Sequence, residues 1–109
     1  DYGELLASRG LGAGKDRELG AGIRAELAGA PPRATVELSD ILSGCSSGAA
    51  HLGFGHSRAY WARSPDNLPI EAFANMFSAA STSAEAYAAL SRYFPRGAKM
   101  FETMIGAIR

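Results

Sequence analysis

The 109-residue chain has few of the residues that many functional sites require. Its single cysteine, Cys45, can form neither an internal disulfide nor a cluster of thiolate ligands. Its two histidines, His51 and His56, belong to no His-Glu-x-x-His segment, the helical pattern that holds catalytic zinc. Its apolar runs are far shorter than the roughly 20 residues that cross a bilayer. These absences argue against a disulfide-stabilised fold, a membrane partner and a self-contained zinc peptidase.

The charges are balanced, with 11 Lys and Arg against 11 Asp and Glu. A chain without net basic charge lacks the field that drives binding to nucleic acid, and we expect no such partner. The length suits one domain over residues 1–109. Because the first residue is Asp1 rather than methionine, we expect a processed product or a piece of a longer protein.

Residues 1–30 are rich in Gly and Ala and predict a helical N-terminal segment. After a glycine-rich break, Asp16 is positioned to cap a helix whose Leu19, Ile23 and Leu27 recur every four residues. A Pro-Pro pair then ends this helix.

The segment TVELSDILSG predicts a second helix, with Gly44 as its left-handed C-terminal residue. Small residues and glycines follow over residues 45–57 and predict a loop or a short hairpin.

The C-terminal third predicts three linked helices. Pro69 suits the first position of one helix, and TSAE at residues 82–85 is a capping box for the next. The last helix is expected from about residue 96, after the interruption at Pro95. The stripes expected to be buried are Ile70, Phe73, Ala74 and Phe77 in the first helix and Phe101, Met104, Ile105 and Ile108 in the last. The predicted fold is mainly α, with five or six helices.

Three residues in the segments GHSRAYW and PIEAFANMF are candidates for chemistry. Glu71 lies off the apolar stripe, in register with Asn75 and Ser78, where a first-turn acid commonly serves only the helix N-terminus. His56 and Tyr60 are four residues apart and would share a helix face, where a buried histidine beside core aromatics is the structural alternative. We expect the remaining histidine, in the loop, to be solvated.

The segments SDILSG, GHSRAYW, EAFANMF and YFPRGAKMFETMI, within residues 35–108, resemble the C-terminal end of a metallopeptidase-like domain. This domain, a zincin of the lethal-factor type, occurs in minor head (head morphogenesis) proteins of phages and prophages. The resemblance implies that Glu71 is a zinc ligand and that Tyr60 donates a hydrogen bond to the oxyanion. His56 matches the Gly-His-Ser element and is a weaker candidate ligand. Asn75 stands where zincins often have a second acid.

The zinc helix of that family is missing from this chain. Either His-Glu-x-x-His lies upstream of Asp1, which we favour, or RELGA at residues 17–21 is a decayed copy of it. On either interpretation the chain has too few ligands for hydroxide activation. We therefore expect no cofactor, no stoichiometric zinc and no proteolysis from these 109 residues, with zinc binding reserved for a longer parent.

Three functions remain open at this point. The first is a phage or prophage head-protein fragment with an inactive zincin-like region. The second is a noncatalytic module that binds other virion proteins or itself, because an incomplete domain exposes an apolar face. The third is the tail of a secreted metalloprotease toxin. The first two imply a cytoplasmic or virion-associated protein, and the third implies secretion.

Overall fold

A computed structural model describes residues 1–108, and these residues are mainly helical, as predicted. Within residues 1–108, seven α-helices follow one another, with a short 3-10 helix, Pro32–Thr35, before the third. Their bounds are α1 Tyr2–Ser8, α2 Asp16–Glu26, α3 Val36–Cys45, α4 Arg58–Ala62, α5 Asn67–Thr82, α6 Ala84–Tyr93 and α7 Pro95–Ile108. No helix in this part of the chain is both long and apolar enough to span a membrane.

The core forms around α3, which packs chiefly against α5 and also against α6. Leu38 and Leu42 of α3 are fully buried and join α2 and α6 residues in one apolar cluster. Two serines of the same helix, Ser39 and Ser43, are buried as well. The centre of the fold therefore combines apolar packing with hydroxyl groups that need hydrogen-bond partners.

The predicted N-terminal helix is present as α2, with Leu19 and Ile23 fully buried. The prediction that Asp16 caps this helix was wrong: Asp16 is the first residue of α2. Its carboxylate accepts a hydrogen bond from the Tyr2 hydroxyl. The helix ends at Glu26, before the Pro-Pro pair. The Asp16 side chain, which the local pattern assigned to capping, thus bonds to a residue of α1 instead.

The prediction that Gly44 ends α3 was wrong, because Gly44 lies within the last turn of this helix. A Cβ at this position would stand 2.6 Å from Leu68 Cδ1 and 2.9 Å from Trp61 Cη2. The glycine is needed because α4 and the start of α5 approach α3 closely here. The expected left-handed backbone occurs farther on, at Ser47 and Gly48.

Cys45 is the last residue of α3, residues 46–57 form the predicted loop, and no hairpin occurs there or elsewhere within residues 1–108. The backbone of this loop bonds to serine side chains of α3 instead of to a neighbouring strand. Ser39 Oγ accepts from the amides of Leu52 and Phe54 and donates to the Phe54 carbonyl at 2.6 Å. A buried hydroxyl thus satisfies groups that a hairpin would have paired.

The buried face of α5 differs from the predicted one. The helix begins at Asn67, which makes Pro69 its third residue rather than its first. Ile70 and Phe77 of the predicted stripe are 63% and 53% exposed, whereas Met76 and Ala79 are buried. On the polar line, Asn75 and Ser78 donate hydrogen bonds to Asp40 and Glu37 of α3, and Glu71 accepts one from Tyr60 of α4.

The last two helices lie close to their predicted positions. Ser83, one residue after the predicted Thr82, caps α6 by accepting from the Ala86 amide. Pro95 is the first residue of α7, where its missing N–H costs no hydrogen bond. The stripe expected on α7 is only partly buried: Phe101 is 7% exposed, but Met104 and Ile108 are 46% and 74% exposed.

Candidate functional site

The fold brings together all three residues that the sequence singled out. The Tyr60 hydroxyl, on α4, donates to Glu71 Oε1, on α5, at 2.5 Å. The His56 ring stacks on the Tyr60 ring with a centroid distance of 3.7 Å, and its Nε2 lies 3.5 Å from the same Glu71 oxygen. The three side chains thus form one cluster at the junction of the loop, α4 and α5.

Asp40 of α3 is a fourth member of the cluster, and the sequence analysis missed it. Its Oδ1 lies 4.0 Å from His56 Nε2, and its side chain is only 12% exposed. In the sequence, Asp40 only precedes the apolar pair Ile41 and Leu42, and its burial is seen in the structure. Such an acid needs a polar partner from another element, because an isolated buried carboxylate is costly.

Asn75 supplies one such partner. Its Nδ2 donates to Asp40 Oδ2 at 2.5 Å and to the Glu71 carbonyl, one helical turn earlier, at 2.8 Å. The Asn75 amide therefore binds one oxygen of the Asp40 carboxylate, Oδ2, and the other oxygen, Oδ1, is the one near His56. Asn75, on α5, thus orients a carboxylate that belongs to a different helix, α3.

Helix α4 is short, and two contacts fix its position. Its N-cap Ser57 accepts from the Tyr60 amide, and the indole Nε1 of buried Trp61 donates to Ser43 Oγ at 3.0 Å. The Trp61 ring lies edge-on to both His56 and Tyr60, with centroids 5.4 and 5.1 Å away. Since Trp61 is anchored in the core, the two site rings beside it have a defined place.

The loop before α4 places His56 through its backbone. Ser43 Oγ donates to the His56 carbonyl at 2.9 Å. At the preceding residue, Gly55, φ is +131°, and an added Cβ would meet Ser43 Cβ at 2.6 Å. Only glycine allows the loop to approach α3 this closely. Gly55, expected only to form the loop, thus also positions a site residue.

The pKa of two groups in the cluster is raised. Burial is the main cause for Asp40, and the nearby Glu71 carboxylate adds to it, while the hydrogen bond from Asn75 acts in the opposite direction. The hydrogen bond to Glu71 is the main cause for Tyr60, because it stabilises the protonated phenol. Tyr60 therefore remains a hydrogen-bond donor at neutral pH.

The cluster is open on one side. The His56 side chain is 41% exposed, compared with 24% for Glu71. A cavity of about 300 Å³ lies beside His56, lined by loop residues that include His51 and Phe54. A small ligand or water can therefore reach the histidine from the loop side.

The other candidates from the sequence lie elsewhere. His51 is exposed, as expected, and its Nδ1 accepts from the Gly53 amide. In RELGA, Glu18 pairs with Lys15 on the surface of α2, and Arg17 lines a separate cavity beside His51. Neither of these RELGA residues belongs to the group that brings metal-ligating atoms together, which consists of Asp40, His56 and Glu71 within the described residues.

Comparison with protein-family models, curated proteins and solved structures gives no match to this chain.

Proposed function

We propose that this chain is the downstream part of a zincin-like, metallopeptidase-like domain of a phage or prophage head protein, and that it is noncatalytic by itself. The observation that carries the proposal is the 2.5 Å hydrogen bond from Tyr60 to Glu71. These residues, 11 positions apart and on different helices, are the oxyanion donor and the zinc ligand that the family resemblance implies.

The cluster has the chemistry that this role requires. A zinc ion bound at Glu71 in the parent protein would polarise a carbonyl group and lower the pKa of bound water. Tyr60, whose pKa is raised, offers a proton donor beside the metal ligand. Asn75 and Trp61 hold neighbouring groups in place from outside the cluster.

The proposal that the chain is noncatalytic alone rests on its ligands. A zincin active site takes two histidines and the general-base glutamate between them from one His-Glu-x-x-His helix. Within residues 1–108, His56 is the one histidine in the cluster, and RELGA contributes nothing to it. The two histidines of the zincin helix would come from an upstream segment.

The parent protein tests this function. A His-Glu-x-x-His segment within the preceding hundred or so residues supports it, and a head-protein region there distinguishes a phage origin from a secreted toxin. In that longer protein we expect about one zinc per chain, lost in Glu71→Gln. Unchanged zinc content in this variant would exclude Glu71 as a ligand.

Tyr60→Phe tests the oxyanion role in the same longer protein. We expect kcat to fall by about 100-fold while zinc content is retained, as for the loss of one oxyanion donor. Tyr87→Phe is a matched control, because Tyr87 also donates to a glutamate, Glu102, but outside the cluster. Equal activity in the two variants would contradict the role of Tyr60.

A second candidate, a noncatalytic interaction module, is favoured by the exposed apolar side chains of α5 and α7. A groove of about 640 Å³ runs between α5, α6 and α7 and is lined by apolar residues such as Phe77 and Ile105. Self-association or binding of other virion subunits would cover this surface. Sedimentation of the 109-residue chain tests self-association, and a monomer at all concentrations would exclude it.

A further inference from the structure

We infer that the 109-residue chain by itself binds one divalent transition-metal ion through Asp40, His56 and Glu71. This goes beyond the expectation that it holds no stoichiometric zinc, which counted Glu71 and His56 but not Asp40. The inference shares Glu71 with the proposed function but needs no upstream histidines.

The geometry is close to that of a metal site. One ligand atom from each residue lies within 4.8 Å of the other two, and His56 Nε2 stands 3.5 Å from Glu71 Oε1. Ligand atoms about 2.0–2.2 Å from a tetrahedral zinc are themselves roughly 3.3–3.6 Å apart. A closure of about 1 Å therefore brings the set to bonding distance.

The charge of the cluster also favours a cation. Two carboxylates converge here, and none of the ion pairs in residues 1–108 joins either of them to a lysine or arginine. Their one recorded charge partner is His56, which can instead coordinate as a neutral imidazole. A divalent ion would relieve the repulsion between Asp40 and Glu71.

Hydrogen bonds orient both carboxylates before any ion arrives. Tyr60 donates to Glu71, and Asn75 donates to Asp40 Oδ2, leaving Oδ1 directed toward His56. Such outer contacts fix the ligands of metal sites and raise their affinity. Two carboxylates and one imidazole suit zinc or cobalt, and the exposed side of His56 leaves room for water ligands.

Calorimetric titration of the chelator-treated chain with Zn²⁺ tests the inference. We expect one equivalent to bind and to raise the melting temperature. Asp40→Asn and His56→Ala should each weaken binding by at least about tenfold. The matched controls are Glu37→Gln, an acid on α3 that contacts Ser78, and His51→Ala, the histidine outside the cluster; both should bind as the wild type does.

Cobalt locates the ion without any substitution, so that the test does not depend on a variant that folds poorly. NMR pseudocontact shifts with Co²⁺ should centre on His56 and Glu71. No binding, binding centred on His51, or undiminished zinc affinity in Asp40→Asn would overturn the inference. In the longer parent, loss of zinc in Glu71→Gln together with retention of zinc in Asp40→Asn would support the proposed function and contradict the metal site inferred here. The failure of one proposal can therefore be told from the failure of the other.

Discussion

The polar side and the apolar side of α5 differ in burial from what its sequence pattern predicts. On one side the helix presents Glu71, which accepts a hydrogen bond from Tyr60 of α4, and Asn75 and Ser78, which donate to Asp40 and Glu37 of α3. Toward α7 it presents Phe73 and Phe77, and Phe77 is about half exposed. Two residues of the polar line, Glu71 and Asn75, are thus partly covered, while the apolar line is partly open to solvent.

The difference teaches that covering a polar line requires partners from another helix. Glu71 and Asn75 are enclosed because α3 brings Asp40 to them and α4 brings Tyr60. Covering an apolar line requires only another apolar surface, and α7 supplies enough for Phe73 but not for Phe77. The polar side therefore holds the candidate site, and the apolar side offers a surface for a partner.

The largest expected loss of stability comes from the apolar side, where a buried and an exposed phenylalanine can be compared. Phe101→Ala should lower the free energy of unfolding by about 3–5 kcal/mol, because this buried ring contacts Phe73 and Tyr87. Phe77→Ala, on the same side, should cost less than about 1 kcal/mol. Urea unfolding measures both. Similar losses would mean that the Phe77 surface is covered in solution.

A smaller loss is expected on the polar side. Ser39→Ala removes the hydroxyl that bonds Leu52 and Phe54 and should cost about 1–3 kcal/mol. Because this loop leads to His56, amide exchange should also accelerate at Leu52 and Phe54. Ser78→Ala, exposed on α5, is the control and should change stability by less than about 0.5 kcal/mol. Unchanged exchange at both amides in Ser39→Ala would contradict the role of this serine.

Glu26 provides a contrast with the clustered carboxylates, because it is paired with cations. Hydrogen bonds from Arg9, the larger cause, and Tyr93 lower its pKa from 4.5 to about 2. A lowered pKa in the folded state means that the stabilisation is present above about pH 4.5 and is lost as pH falls toward 2. Since the pair is solvent-accessible, we expect Glu26→Gln to cost on the order of 1 kcal/mol at pH 7.

Thermal melts of Glu26→Gln and the wild type across this pH range test the pairing. The difference between the two should shrink on acidification and disappear as pH falls below about 2. A difference that is independent of pH would show that the glutamate acts through packing alone.

The smallest expected effect concerns Cys45, at the C-terminal end of α3. Burial raises the pKa of its thiol from 9.0 to about 11, so that little thiolate exists at neutral pH. We expect its reaction with a disulfide reagent at pH 8 to be slower in the folded protein than in urea. Equal rates would show that this end of α3 opens readily.

The local signals of the sequence located most helices well. Ser83 and Pro95 lie within a residue of the predicted starts of α6 and α7, since capping and the rigidity of proline act over one turn. The same signals erred where another helix intervened. Tyr2 bonds to Asp16, and Trp61 and Leu68 pack closely against Gly44.

The candidate site likewise has residues that the sequence indicated and one that only the packing of helices brought in. The residue types and the family resemblance singled out His56, Tyr60 and Glu71, and they do lie together. Asp40 was missed because nothing local connects it with Asn75, 35 residues away. Its neighbours in the sequence did not indicate burial, and both its burial and its partner depend on how α3 packs against α5.

By itself, the sequence determined that this protein is helical and which side chains were available for chemistry. Periodicity divides a helix into faces, and caps fix its ends, because both depend on residues within a turn or two. Only the tertiary structure decided that the polar face of α5 meets α3 and that Asp40 joins the site. Such pairings depend on contacts between distant segments, whose mutual burial and hydrogen bonding no local pattern specifies.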